Sequence, residues 1–273
     1  MLITRRTQQG FTITELMVAM AVGIVVLGGV LTVYLSTLRT SHTTLQATRL
    51  NQEMAAIMNI MVNDIRRAGF WGDADLTAPT TNPFATVDTA TPVNTTALRV
   101  HSTDGTSYTD KSEEAVMTDR TGSCVTYSYD VDMDSTLDNE EKFGFRWDGQ
   151  SGDGIMMRRS GAGGTNLCQN GGADTWESLT EIGTIEITNL TFSLADSTCL
   201  NSAEPDNADR DGDGTDDNYE EADCYTYPPT AGEKTVESLR LLITLEAQLA
   251  DDPEVRAEMQ QTVQVRNYLM RAY

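Results

Sequence analysis

From residue 10 the chain reads Gly10-Phe11-Thr12-Ile13-Thr14-Glu15-Leu16-Met17, then runs apolar to Leu35 with Glu15 as its one charge. A helix of about 25 residues at 1.5 Å rise crosses a bilayer's hydrocarbon core, which takes roughly 20. A carboxylate inside such a run is tolerated poorly unless something pairs with it. The ten residues before Phe11 carry Arg5 and Arg6. A basic pair there holds the N-terminus in the cytoplasm and sends the rest of the chain outward.

A secretory signal would be cut after its apolar core at a small-residue site. Ala19-Met20-Ala21 offers a weak one, but the apolar run continues well past it. The short basic leader followed by Gly10-Phe11-Thr12-Ile13-Thr14-Glu15-Leu16-Met17 resembles instead the class III leader of type IV pilins. The resemblance covers about the first 40 residues. It implies that a prepilin peptidase cuts after Gly10 and methylates the new N-terminal residue, Phe11. It also implies that Glu15, fifth after the cut, partners the free amine of a neighbouring subunit in a filament core. The alternative is an uncleaved membrane anchor with a snorkelling Glu15 near one face.

Four segments follow from this reading: a leader at 1–10, a membrane and filament-core half-helix at 11–35, an amphipathic half-helix at 36–67, and a head at 68–273. Past Leu35 the helical period persists while polarity rises. Leu50, Met54, Ile57, Met58, Met61 and Ile65 recur at three- and four-residue steps, giving one apolar stripe for a head to cover. Arg66 and Arg67 suit the negative end of the helix dipole, and Gly69 is a natural stop. Gly23, Gly28 and Gly29 invite local unwinding. The Met-rich stripe reads as core rather than binding groove.

Residues 72–97, with Pro79, Pro83 and Pro92 among Thr, Asn and Asp, read as a long surface loop. Strand signals begin at Ala97-Leu98-Arg99-Val100. Residues 125–129 and 143–147 flank an acidic loop, and Gly149 and Gly154 mark turns towards a strand at 155–159. Ile185 and Ile187 alternate in one phase and Leu190, Phe192 and Leu194 in the other, so a bulge near Thr188 and Asn189 is expected. Leu239 to Leu249 is apolar at every odd position. After Asp251-Asp252-Pro253, Met259, Val263, Val265 and Leu269 resume the alternation, predicting two long antiparallel strands. The expected fold is α+β and pilin-like: a long N-terminal helix packed on a mostly antiparallel β head.

About 205 residues remain for that head, enough for one sizeable core. The formal charge of −22 argues against nucleic acid and anionic lipid as partners of the head and favours cations or basic protein faces. Cys124, Cys168, Cys199 and Cys224 all lie on the exported side, where an even count suggests two disulfides. Three connectivities are possible; pairing between nearest cysteines, Cys124–Cys168 and Cys199–Cys224, is expected.

Between the last two cysteines Asp209, Asp211, Asp213, Gly214, Thr215, Asp217 and Glu220 fit D-x-D-x-D-G-x5-E at every position. Carboxylates at alternate positions turn inward, Gly214 permits the bend, the Thr215 carbonyl adds an oxygen, and Glu220 closes the shell. This donor set suits Ca²⁺. The flanks do not read as helices, so the loop is expected without its EF-hand partners. A second candidate comprises Asp130, Asp132, Asp134, Thr136, Asp138 and Glu141, with Ser135 where glycine normally bends the loop. Its plainer reading is a charged hairpin tip.

Enzymatic patterns are thin. His42 and His101 are the only histidines, and Gly161-Ala162-Gly163-Gly164 lacks the Gly-Lys-Ser/Thr of a phosphate loop. No catalytic site is expected. The leader, the Asp64-Ile65-Arg66-Arg67-Ala68-Gly69-Phe70 run and the C-terminal sheet resemble the PilW-type minor pilins. That resemblance implies a filament-priming and tip complex made with other minor pilins and the major pilin, and a possible tip adhesin. It implies residence in the inner membrane with a periplasmic head before assembly, and in the extracellular pilus afterwards. The nearest rival is a GspJ-like pseudopilin of type II secretion; a more distant one is a membrane-anchored periplasmic binding protein or enzyme.

Overall fold

The computed structural model describes residues 10–72, 82–87, 95–103, 108–110, 120–147, 149, 154–161, 168, 174–180, 183–194, 196–201, 223–226, 229 and 232–272. One helix, α1 (Ile13–Ile65), runs unbroken through Gly23, Gly28 and Gly29. Glycine lowers helix propensity by about 1 kcal/mol but keeps its N–H and C=O, so the ladder survives. The Gly28 carbonyl even accepts a second bond, from Thr32 Oγ1 at 2.8 Å.

The chain divides into two compact units, 1–48 and 49–273. From Ile13 onward the first is helix whose large apolar side chains, Leu16 to Leu45, all face outward. It is long and apolar enough to cross a membrane.

The second unit begins with the last turns of α1. Here Leu50, Met54, Ile57, Met58, Met61, Val62 and Ile65 are buried, the stripe the spacing predicts. Thirteen described strands follow. The first five are β1 (Arg99–Thr103), β2 (Tyr108–Asp110), β3 (Thr121–Gly122), β4 (Cys124–Ser128) and β5 (Lys142–Arg146). Next come β6 (Met156–Gly161), β7 (Asp174–Ser178), β8 (Ile185–Ser193) and β9 (Thr198–Asn201). The last are β10 (Lys234–Ser238), β11 (Arg240–Leu249), β12 (Arg256–Gln264) and β13 (Leu269–Ala272).

They form three sheets, ordered β2-β1-β4-β5-β6-β7, β12-β11-β8-β3 and β13-β10-β9. Every described pairing is antiparallel. The head is thus α+β, as expected. Leu241, Ile243, Leu245 and Ala247 of β11 and Ile187, Leu190 and Phe192 of β8 are all buried. Asn189 opposes Glu246 while Ile187 opposes Ala247, which leaves Thr188 as the extra residue of the bulge. That one residue brings both apolar phases of β8 onto the core face.

Two expectations need correction. The second C-terminal strand is not continuous: it splits into β12 and β13, which belong to different sheets. Its partner splits at the same level, into β10 and β11, and Val265 N donates to Leu239 O at 3.0 Å across the break. Both strands therefore turn together from one sheet into another, which an alternating pattern cannot reveal.

The segment at 72–97 is not wholly a solvated connection either. Phe84, in a short 3₁₀ turn (Pro83–Ala85), is completely buried. Asn82 Oδ1 accepts from Phe84 N at 2.9 Å, and Asn82 Nδ2 donates to Gly69 O at 2.9 Å. One aromatic side chain anchors what composition makes look purely polar.

Glycine is required where the sheets meet. A Cβ on Gly122 would lie 2.1 Å from the His101 carbonyl oxygen, so β3 can pass over β1 only without a side chain. Gly69, at φ +71°, ends the helical segment, and its N–H donates to Ser128 O at 2.8 Å.

Candidate functional site

The expected processing junction, Gly10-Phe11, lies at the start of α1. Gly10 and Phe11 precede the helix, and the Phe11 side chain is 91% exposed. Glu15 Oε2 accepts from the Thr12 backbone N–H at 2.9 Å and from Thr12 Oγ1 at 2.9 Å, while Glu15 N donates to Thr12 Oγ1 at 3.3 Å. This is a capping box, a reciprocal pair that satisfies orphan donors of the first turn. Thr12-x-x-Glu15 carries its signature in the sequence. In this isolated chain Glu15 thus has a local partner one turn away.

The stronger calcium candidate, Asp209, Asp211, Asp213, Thr215, Asp217 and Glu220, lies outside the described residues. Its anchorage is described. Cys199 and Cys224 form a disulfide with Cα atoms 5.3 Å apart. Beyond it Asp223 accepts from Tyr225 N and Thr226 Oγ1 at 3.1 and 2.9 Å. Tyr225 donates to Glu237 at 3.0 Å, and Arg271 bonds the other Glu237 oxygen at 2.8 Å. Arg120 stacks over the Tyr225 ring at 4.4 Å. The second disulfide, Cys124–Cys168, is buried, with Cα atoms 6.3 Å apart.

The weaker candidate is fully described. Asp130, Asp132 and Asp134 bring carboxylate oxygens within 4.8 Å of one another. Asp130 is buried and takes the N–H groups of Met133, Ser135 and Gly72 at 2.6, 3.2 and 3.0 Å. Asp132 accepts from Asp134 N and Asp134 from Thr136 N, so each exposed acid also closes a local turn. Ser135, in the place of glycine, adopts φ +67°, and Met133 adopts +64°. The loop therefore takes the sharp left-handed bend without the residue that favours it. Glu141 is buried, and its two oxygens accept from Val131 N at 2.7 Å and Asp138 N at 2.9 Å. Three acids are thus assembled, while Glu141 and Asp138 serve the hairpin's own backbone. All the donors are hard oxygens, which fits Ca²⁺ better than a softer metal.

His101 is buried with Nε2 3.0 Å from Thr126 Oγ1, and His42 lies on α1. Of the glycine run only Gly161, at the end of β6, is described; 162–164 lie outside.

Sequence reasoning missed the polar latch beneath the stripe. Tyr127 and Tyr129 both donate to Asp64, at 2.5 and 2.9 Å. Arg67 pairs with Asp64 and lies 4.4 Å over the Tyr129 ring. Tyr129 and Phe143 stack at 4.3 Å. Burial, then the Asp64 charge and hydrogen bond, pushes the Tyr127 phenol well above its ordinary range. The one legible hint was Asp64 and Arg67 at the C-terminal end of the apolar stripe.

Comparison with known proteins agrees with both halves of the chain. The family described as prokaryotic N-terminal methylation motif matches residues 5–31. The family described as prepilin peptidase-dependent protein B matches residues 43–265. No curated protein and no solved structure matches significantly. With a methylation motif leading one apolar helix and that family covering most of the head, the chain belongs to the prepilin peptidase-dependent protein B family and is a type IV pilin-like protein.

Proposed function

We propose that the chain is a minor pilin of a type IV pilus, similar to PilW, that helps to prime the filament and stays in its tip complex. One observation carries this: the Gly10-Phe11 junction sits exposed just before an apolar helix that leads into a β-rich head. Prepilin peptidase cuts after Gly10 and methylates Phe11. The helix waits in the inner membrane with Glu15 held by Thr12. On assembly, Glu15 exchanges that local partner for the amine of a neighbouring subunit, and charge burial is offset by pairing. The head presents surfaces to other minor pilins, the major pilin and a tip adhesin. The role is structural rather than enzymatic.

Calcium belongs to this reading as a stabiliser of the head. Asp130, Asp132 and Asp134 in one loop, and Asp209, Asp211, Asp213, Thr215, Asp217 and Glu220 in the other, would hold it; when bound it cancels carboxylate repulsion. The residues themselves set the loop: Asp130 accepts from three backbone amides. Millimolar Ca²⁺ should raise the melting temperature of the full-length chain in detergent and chelator should reverse it. An unchanged melting temperature removes the calcium part alone.

Deleting the gene should abolish surface pili, and intact mass should place the mature N-terminus at methylated Phe11. Normal piliation with secreted enzymes trapped in the periplasm would transfer the chain to the GspJ-like pseudopilins. A mature chain still starting at Met1 would make it a membrane anchor. Glu15→Ala should leave cleavage intact and block incorporation into fibres.

A further inference from the structure

Between the last turns of α1 and the tip of the β4–β5 hairpin lies a groove of about 870 Å³. Its walls are apolar: Ile60 and Val131 are exposed at its mouth, and Tyr129, Phe143, Met157 and Leu179 line its interior. Five carboxylates and two arginines also line it. The arginines do not balance that charge at the mouth. Arg67 is engaged by Asp64 and the Tyr129 ring, and Arg158 is completely buried. Asp132, Asp138 and Glu140 are left at the rim.

We propose that this groove docks a segment of a partner protein in which an apolar or aromatic side chain is flanked by lysine or arginine. An apolar interior beneath an acidic rim is complementary to that chemistry: the ring or aliphatic group fills the cavity and the cations meet the carboxylates. A second copy of this chain fits poorly, since its formal charge of −22 would bring like charge to the rim. The partner is therefore a different, more basic subunit. Glu140 lies outside both sets of calcium donors, so it reports on docking independently of any ion. The proposal rests on the reading of the chain as a filament subunit.

The test uses the processed full-length protein in detergent and a labelled octapeptide, Ser-Gly-Arg-Phe-Leu-Lys-Gly-Ser, followed by fluorescence anisotropy. Binding should be saturable and weaken with salt. It should drop about tenfold or more when Glu replaces the Arg and Lys, and equally when Ser replaces the Phe and Leu. Glu140→Lys and Ile60→Ser should each weaken binding by at least about fivefold without lowering the melting temperature; Val131→Ser is the second apolar-mouth variant. Equal binding of the three peptides, indifference to all three variants, or no binding overturns the groove. In cells, chain carrying Ile60→Ser and Glu140→Lys should still be processed to Phe11 but be lost from fibres. Intact fibres after deletion of the gene would defeat the filament reading instead, whatever the peptides do.

Discussion

Tyr127 donates its phenol hydroxyl to Asp64 Oδ2 at 2.5 Å, joining β4 to the final turns of α1 by a bond between residues 63 apart in sequence. Tyr129 reaches the other oxygen, so a single carboxylate fixes where the helix meets the hairpin. Asp64→Ala leaves two phenols without their acceptor and should cost about 2–3 kcal/mol, whereas Tyr127→Phe should cost about 1 kcal/mol. Urea unfolding of the full-length chain in detergent measures both.

The same phenol makes the head sensitive to alkali. Burial, the Asp64 charge and the Asp64 hydrogen bond keep Tyr127 protonated above its ordinary value. Burial and Glu237 do the same for Tyr225. A raised folded value means that this stability is complete below about pH 10, where the unfolded phenols are neutral. It is lost as pH climbs further, because only the unfolded chain releases its protons. The melting temperature should therefore fall above about pH 10, and the fall should be shallower in Tyr127→Phe/Tyr225→Phe. Identical slopes would refute the assignment.

Phe84→Ala should destabilise the head by about 3–5 kcal/mol, because truncating a completely buried ring leaves a cavity. The segment's polar composition alone would suggest almost no effect. Thermal unfolding distinguishes the two.

Ser135→Gly should stabilise the head. A left-handed conformation costs a non-glycine residue about 1–2 kcal/mol, and glycine's greater unfolded-state freedom returns some of that, leaving a gain of about 0.5–1 kcal/mol. Calcium affinity, if the loop binds the ion, should rise alongside because the bend is then preorganised. Calorimetry with and without Ca²⁺ reads both effects.

Thr12→Ala removes the hydroxyl that caps the first turn and should cost about 1 kcal/mol locally. Amide exchange at residues 13–16 in micelles should quicken by roughly fivefold, while the head's protection stays as it was. Glu15→Ala should show the same local loosening together with the loss of assembly.

Much of the architecture was readable because burial imposes a period on the chain. Leu50 to Ile65 shows the helical step, Leu241 to Leu249 the alternation of a half-buried strand, and the phase change at Thr188 the bulge. Short polar strands left no comparable mark: β7 reads Asp-Thr-Trp-Glu-Ser and β10 Lys-Thr-Val-Glu-Ser, and both are recruited by their neighbours. Carboxylate spacing gave the loop at 130–141, but not that Glu141 would spend both oxygens on backbone amides.

By itself the sequence determined the methylation motif and the apolar helix behind it, because length, charge placement and hydrophobic period act locally along the chain. Only the tertiary structure decided that β10–β11 and β12–β13 change sheets together, that Phe84 is core, and that Asp64 clasps two tyrosines. Those outcomes depend on which distant groups meet. The free energy of a contact belongs to the pair, and neither partner's immediate neighbours in sequence record it.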